Sequence, residues 1–193
     1  MAHIDYYFTP LSPFAYLAGD GLEKIAAKYS ASIAYKPVNA GRLMNETGGL
    51  PVPQRHPSRQ AYRLQDLPRI ARHAGLAINL QPAHWPTDQS RAIAANYAAT
   101  GGDTGALAQA LARAVWAEDK DIADQAVIDA ALAETGFAPA SVDYDAGAAQ
   151  IEPVTDEALA AGVFGFPFYV VEGERFWGQD RLPYLEDHLA DLA

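Results

Sequence analysis

The first forty residues alternate between apolar and polar positions in a way that predicts two strands joined by a helix. His3–Phe8 is a short, mostly apolar run typical of a strand, and Ile33–Asn39 places Ile33, Tyr35 and Pro37 on one face. Between the two strands, a helix is predicted from Pro13 to about Tyr29. A helix that joins two strands in this way makes a right-handed crossover, so we expect the strands to be parallel.

The pattern changes at Ala40, and the chain from there to Pro153 is predicted to be mostly helical. Two irregular stretches rich in proline and glycine, Gly48–Pro57 and Gln81–Pro86, interrupt it and could fold over a site. The predicted helices of this segment are Ser58–Ala74, Asp88–Ala99, Gly105–Trp116, Asp124–Thr135 and about Ser141–Ala149.

Strand character returns near the end of the chain. A short helix is predicted over Thr155–Ala161, a buried strand over Phe168–Val171 and the return strand of a hairpin over Arg175–Trp177. A closing helix covers Asp180–Leu192. The order β-α-β, helical block, β-β-α predicts an α/β protein: a thioredoxin-like core of residues 1–39 and 154–193 with an all-helical insertion of residues 40–153.

Composition and charge narrow the classes of function. Of 193 residues, 50% are hydrophobic, enough for one domain with a large insertion. The net charge of −10 disfavours non-specific binding to nucleic acid or to an anionic membrane. No run approaches the roughly 20 apolar residues of a membrane helix, and no secretory signal is expected. Because the chain has no cysteine, it cannot be a dithiol oxidoreductase, and any sulfur chemistry must use an external thiol.

A serine followed by proline, Ser12-Pro13, stands where the first strand gives way to the first helix. The start of a helix offers unpartnered backbone N–H groups, and a hydroxyl there can hydrogen-bond to a thiolate, a carboxylate or a phosphate. Together with Gly165-Phe166-Pro167 far along the chain, it suggests a thioredoxin-like site whose cysteine is replaced by serine. Serine before proline is also an ordinary helix cap.

Five segments of the chain resemble the 2-hydroxychromene-2-carboxylate isomerases and the related kappa-class glutathione transferases. They are Phe8–Ala18, Ala114–Glu118, Asp121–Asp124, Gly162–Val171 and Phe176–Leu182, and the similarity extends over nearly the whole chain. The resemblance implies a fold of the DsbA type, binding of glutathione, and a cytoplasmic homodimer. It also implies the interconversion of 2-hydroxychromene-2-carboxylate and trans-o-hydroxybenzylidenepyruvate, a step in bacterial degradation of aromatic compounds.

The resemblance also implies a set of site residues around bound glutathione. Ser12 would donate a hydrogen bond to the glutathione thiolate, since no base stands near it to make serine itself a nucleophile. The Phe166–Pro167 bond would be cis, and the backbone of Phe166 would pair with the glutathione backbone. Gln179 and Asp180 would hold the γ-glutamyl end, although Asp180 could instead simply cap the last helix.

Two positions depart from the family pattern. Arg59 stands where a lysine is common, and it could still bind a carboxylate of glutathione or substrate. Gly49 stands where asparagine before a proline is usual, in a loop that helps to shape the pocket. Asn39 could supply a polar contact to substrate, and Trp85 could wall an aromatic pocket or pack in the core. The five histidines show no metal-ligand spacing, and no metal is expected.

These residues predict a glutathione-dependent cis-trans isomerase that acts on an unsaturated aromatic 2-oxo acid. Glutathione thiolate would add to the conjugated double bond, allow rotation, and then leave. One alternative is a kappa-class-like glutathione transferase, in which the thiolate stays attached to an electrophile. A second alternative is a non-catalytic protein that binds glutathione or another thiol peptide.

Overall fold

A four-stranded sheet forms the centre of the computed structural model, which describes residues 1–192. The strands are β1 (His3–Phe8), β2 (Ser32–Pro37), β3 (Phe168–Val171) and β4 (Glu174–Trp177), in the order β2-β1-β3-β4. β1 and β2 are parallel, with Ile4 opposite Ile33, whereas β1–β3 and β3–β4 are antiparallel. The predicted β-α-β crossover and C-terminal hairpin are therefore confirmed.

Nine α-helices surround this sheet within residues 1–192. They are α1 (Pro13–Leu17), α2 (Gly21–Tyr29), α3 (Ala40–Glu46), α4 (Pro57–Ala74), α5 (Ser90–Ala98), α6 (Thr104–Trp116), α7 (Gln125–Glu134), α8 (Tyr144–Ala160) and α9 (Leu182–Asp191). Short 3-10 turns lie at Val52–Gln54, Pro139–Ser141 and Gln179–Arg181. The helices predicted between residues 58 and 135 are confirmed to within two residues at each end, whereas α3 was not predicted.

The single helix predicted from Pro13 to Tyr29 is wrong, because the chain breaks it into α1 and α2. Gly19 takes a left-handed backbone conformation, with φ of +59°, which a helix interior does not accommodate. A Cβ at Gly21 would lie 2.8 Å from the Leu182 side chain, so α2 begins where it touches α9. The helix that follows Ser12 is therefore only five residues long.

The two short helices predicted on either side of Pro153 are one continuous helix, α8. Proline removes one backbone donor from a helix interior, but the Thr155 hydroxyl donates to the carbonyl of Ile151 at 2.6 Å. The same oxygen accepts the backbone N–H of Asn39 at 3.0 Å. This threonine is fully buried, and it ties α8 to the chain that leaves β2. The predicted domain boundary at residue 153 falls within this helix.

Three groups of buried side chains hold the layers together. On one face of the sheet, Tyr6 stacks between Phe8 and Tyr169, with ring centroids 4.8 and 5.1 Å apart, and α2 and α9 cover them. On the other face, Tyr7 and Phe168 pack against α3 and α8. The third group lies among α1, α4, α6 and α7, with the fully buried Trp116 as its largest side chain.

The helical segment packs tightly against itself and against the core. α5 and α8 cross closely at Gly147, where an added Cβ would lie 2.1 Å from the carbonyl oxygen of Ala94. Only glycine allows the two backbones this approach. Within residues 1–192, no helix is both long and apolar enough to span a membrane.

Candidate functional site

The turn that follows β1 is held in place by two tryptophans of the helical segment. The indole N–H of Trp116 donates to the carbonyl of Pro10, and that of Trp85 donates to the carbonyl of Leu11, each at 3.0 Å. The two rings lie 5.6 Å apart. The next residue along the chain is Ser12, so both bonds fix the backbone that carries the candidate site.

Ser12 is the N-cap of α1. Its Oγ accepts the backbone N–H of Ala15 at 3.3 Å, and its own N–H donates to the carbonyl of Thr9 at 3.0 Å. Pro13 occupies the first helical position, where the missing N–H has no partner to lose. Because α1 is so short, its dipole is weaker than the predicted long helix would give. Local hydrogen bonds to Ser12 and its neighbours must supply most of any stabilisation of an anion.

The loop before β3 meets Ser12 from the opposite side. The Phe166–Pro167 bond is cis, as expected, and the Ser12 hydroxyl donates to the carbonyl of Phe166 at 3.4 Å. The carbonyl of Pro167 accepts the N–H of Gly178 at 2.9 Å. In the part of the chain that the structure describes, the N–H of Phe166 donates to no backbone carbonyl. It is therefore available to a peptide-like ligand.

Gln179 and Asp180 lie in the 3-10 turn Gln179–Arg181, which packs against α1. A Cβ at Gly178 would lie 2.5 Å from a carboxylate oxygen of Asp180, so the carboxylate folds back over the turn. It pairs with Arg181 at 3.4 Å. Asp180 does not cap α9, because Arg181 holds the N-cap position. The capping alternative is therefore wrong, and this turn joins the Ser12 and Phe166 segments at one end of the sheet.

Asn39 and Gly49 form hydrogen bonds with residues outside the Ser12 and Phe166 segments. The Asn39 side chain caps α3 by accepting the N–H of Arg42 at 3.1 Å, and it donates to Glu152 at 2.9 Å. The N–H of Gly49 donates to the carbonyl of Met44 at 2.7 Å. The described contacts join neither residue to Ser12 or Pro167.

Arg59 is exposed in the first turn of α4, and its side chain forms no ion pair with the described residues. One helical turn later, Arg63 lies over the rings of both site tryptophans, with its guanidinium carbon 5.3 Å from the centroid of Trp85 and 5.7 Å from that of Trp116. Sequence reasoning did not select Arg63. The i, i+4 spacing of the two arginines was a visible signal, but of the tryptophans that position Arg63, Trp85 lies in the loop before α5 and Trp116 lies at the end of α6.

A third arginine, Arg55, belongs to the same cluster. Burial, aided by the neighbouring charge of Arg59, lowers the pKa of the Arg55 guanidinium. Burial, aided by the charge of Arg55, likewise lowers the pKa of Arg63. Arg55 therefore repels both Arg59 and Arg63, and Arg63 lies over the tryptophans that hold the turn before Ser12. In a protein with a net charge of −10, this is a local field that attracts anions.

Among residues 1–192, no group of three or more His, Asp or Glu side chains is placed to hold a metal ion. The functional groups available to a ligand at the candidate site are thus a serine hydroxyl, backbone N–H and C=O groups, the carboxylate of Asp180 and a cluster of guanidinium groups.

A thioredoxin-like core without a cysteine, with a helical insertion and a cis-proline loop facing the N-cap serine, defines the class of this protein. A family model described as a DSBA-like thioredoxin domain matches residues 3–190. The chain belongs to this family, and the predicted DsbA-type fold is confirmed.

Individual relatives agree with the predicted resemblance. A 2-hydroxychromene-2-carboxylate isomerase from Sphingobium xenophagum is 28% identical over 193 residues, covering 97% of this chain and 98% of the relative. A solved structure of a 2-hydroxychromene-2-carboxylate isomerase superposes with a TM-score of 0.79 at 26% identity, covering 98% and 95% of the two chains. The kappa 1 glutathione S-transferase of Caenorhabditis elegans is 30% identical over 83 residues, which is 42% of this chain and 36% of that protein.

Proposed function

We propose that this protein is a glutathione-dependent isomerase that interconverts 2-hydroxychromene-2-carboxylate and trans-o-hydroxybenzylidenepyruvate, or a similar unsaturated aromatic 2-oxo acid. The observation that carries the proposal is the pairing of the Ser12 hydroxyl with the backbone of Phe166 across the cleft. In a chain without cysteine, this arrangement offers a hydrogen-bond donor and a peptide-binding edge to a thiol brought in from outside. The relatives named as isomerases support the reaction.

Glutathione would bind along the edge that the three site segments form. Its backbone would pair with the free N–H of Phe166 next to Pro167, and its γ-glutamyl end would reach Gln179 and Asp180, whose carboxylate can accept from the ammonium group. Its thiol would lie at Ser12, where the hydroxyl can turn from the Phe166 carbonyl to the sulfur. Hydrogen bonds to the ionised form lower the pKa of a thiol from about 8.5.

The chemistry follows from the bond that must rotate. The chromene is the cyclic hemiketal of the cis enone. Opening of its ring gives the cis acid, which differs from the trans acid only in the geometry of one C=C bond. The glutathione thiolate forms an S–C bond at the benzylic carbon, and the π electrons move into the 2-oxo group as an enolate. The former double bond is then a single bond and rotates. Collapse of the enolate re-forms the C=C bond and expels the thiolate unchanged.

Arg59 supplies a cation for a carboxylate of glutathione or substrate at the rim of the site. Trp85 presents an aromatic ring to the substrate while its indole N–H holds the turn. Asn39, which follows β2, and Gly49, which follows α3, would contribute after some rearrangement of their present hydrogen bonds. A cytoplasmic homodimer completes the proposal, as the resemblance implies.

Two measurements test the proposal together. Calorimetry should detect glutathione binding to the purified protein, and absorbance should follow conversion of the trans acid to the chromene. Conversion should require glutathione and should stop when S-methylglutathione replaces it, because the methylated sulfur cannot form a thiolate. Conversion at the same rate without any thiol would overturn the proposed mechanism.

A glutathione transferase is the second candidate, favoured by the similarity to a kappa-class enzyme. The same thiolate would add to an electrophile and remain attached. Mass spectrometry of the reaction mixture separates the two activities: an isomerase returns free glutathione, whereas a transferase accumulates a stable conjugate. Binding of glutathione with neither product would identify the third possibility, a non-catalytic binding protein.

A further inference from the structure

Arg63 is a buried cation without an anionic partner. Its side chain belongs to a residue with only 9% of its surface exposed, and its Nη2 is shielded from solvent without a hydrogen-bond partner. No carboxylate among residues 1–192 forms an ion pair with it. Arg42 and Arg113, by contrast, each bind two or more carboxylates at the surface. A buried charge is ordinarily paired, so the free donors of Arg63 are suited to bind an anion.

Arg63 holds these free donors beside the candidate site. Its guanidinium lies over Trp85 and Trp116, the two side chains whose N–H groups hold the carbonyls of Leu11 and Pro10. Ser12 follows directly. α4, which carries Arg63, also packs against α1. The unpaired donors are therefore next to the turn where a thiolate would be held.

We propose that Arg63 binds the carboxylate of the electrophilic co-substrate, with Arg55 adding to the local field. This inference rests on the proposed function, and it names the group that selects the substrate class: a flat, conjugated acid rather than a neutral enone. A guanidinium held against aromatic rings keeps its N–H edge fixed, which suits bidentate binding of a carboxylate. The conjugated part of the acid would lie against the indole of Trp85.

Glutathione carries carboxylates of its own, and the site has other groups for them. The γ-glutamyl end is assigned to Gln179 and Asp180, and the exposed Arg59 is available to the glycine carboxylate. Arg63 is more deeply buried than Arg59 and lies over the tryptophans. The experiment must nevertheless separate the two sources of carboxylate, and it must separate ligand binding from a purely structural contact with the rings.

The binding experiment uses trans-cinnamate and its neutral analogue cinnamamide, titrated into the full-length protein with and without saturating glutathione. Wild type should bind cinnamate about tenfold or more tightly than cinnamamide. Arg63→Met should weaken cinnamate binding about 10- to 100-fold and leave cinnamamide within twofold. Arg63→Lys should recover part of the loss, because it restores charge but not the bidentate geometry. Arg72→Met, an exposed position near the end of the same helix, is the matched control and should behave as wild type.

Three outcomes would overturn the assignment. Equal losses for cinnamate and cinnamamide in Arg63→Met would show that the side chain shapes the pocket without binding the acid. Loss of glutathione affinity with cinnamate binding intact would assign Arg63 to glutathione. A lower melting temperature of Arg63→Met with unchanged cinnamate affinity would show that its contact with the two tryptophan rings is structural and that it does not bind the acid.

Kinetics give an independent readout on the isomerase. With benzylidenepyruvate as substrate, Arg63→Met should raise KM about 10-fold or more, whereas the carboxylate-free ketone benzylideneacetone should react with glutathione at an unchanged rate. If the wild-type protein neither binds glutathione nor isomerises, the proposed function fails. The cinnamate titrations without glutathione would still decide the role of Arg63.

Discussion

The Ser12 hydroxyl and the Phe166 carbonyl lie 3.4 Å apart although 154 positions of the chain separate them. One belongs to the turn after the first strand, and the other precedes the third strand. The contact exists because β1 pairs with β3 in antiparallel register, with Tyr7 opposite Phe168. The candidate site is therefore formed by the sheet, and the helical segment acts on it from the side through Trp85 and Trp116.

Ser12→Ala should impair catalysis much more than folding. Loss of a hydrogen-bond donor to a developing or stable anion lowers turnover about 100-fold, whereas loss of an N-cap costs about 1 kcal/mol of stability. Glutathione-dependent conversion and denaturant unfolding measure the two effects. Ser141→Ala, in a surface turn, should change neither. Full activity in Ser12→Ala would remove the hydroxyl from the mechanism.

Glu23→Gln should make the protein more stable near neutral pH. Burial raises the pKa of the Glu23 carboxyl above its ordinary 4.5, and the charges of Asp20 and Asp103 add to the rise, although the hydrogen bond from Tyr35 opposes it. A carboxyl with a raised folded-state pKa stabilises the fold below its unfolded-state pKa. That contribution is lost as the pH rises through the folded-state value.

Unfolding free energies measured from acid to neutral pH should therefore diverge between Glu23→Gln and wild type. The variant should gain about 1.4 kcal/mol at neutral pH for each unit by which the carboxyl pKa is raised. The exposed Glu174→Gln should follow wild type at every pH. Parallel curves for Glu23→Gln and wild type would contradict a raised folded-state pKa of the Glu23 carboxyl.

Thr155→Val should destabilise the protein by about 1 to 3 kcal/mol. Valine keeps the shape but removes the oxygen that receives the N–H of Asn39 and the donor that satisfies Ile151. Thermal and denaturant unfolding measure the loss. Thr47→Val removes a single hydroxyl bond, to Leu43, at an exposed position, and its effect should stay below about 0.5 kcal/mol. Similar losses of stability in Thr155→Val and Thr47→Val would mean that burial of the Thr155 hydroxyl does not increase its contribution to stability.

Gly147→Ala should cost about 1 to 3 kcal/mol, because the new methyl group would overlap the carbonyl of Ala94 and force α5 and α8 apart. Gly41→Ala provides a matched control in α3, where the nearest atom to the new Cβ is 3.6 Å away. That variant should be neutral or gain up to about 0.5 kcal/mol from helix propensity. Equilibrium unfolding compares the pair, and a stabilised Gly147→Ala would exclude the close crossing.

The sequence predicts this fold wherever periodicity agrees with packing. β1, β2 and the hairpin have strong strand patterns, and their pairing follows from the crossover rule. Two of the errors in the predicted helices occur where tertiary contacts decide. The end of α1 depends on how α2 approaches Leu182, and the continuity of α8 through Pro153 depends on a hydroxyl whose two partners come together only in the folded chain.

The candidate site, like the fold, could be predicted only in part from the sequence. Ser12 and Phe166 were visible as motifs, and the structure brings them into contact. Asn39 and Gly49 are engaged in local hydrogen bonds that no short pattern reveals. Arg63 looks like any surface arginine of α4 until Trp85 and Trp116, from two other parts of the chain, are placed beneath it.

The central position of β1 has a consequence for synthesis. This strand is synthesised well before β3, one of its two neighbours in the sheet, because the helical segment lies between them in the sequence. A nascent chain that ends before Phe166 has one open edge on β1 and only part of the candidate site. Under the proposed function, glutathione therefore binds only after β3 has been synthesised, and a product truncated before Phe166 is inactive and prone to associate through that exposed edge.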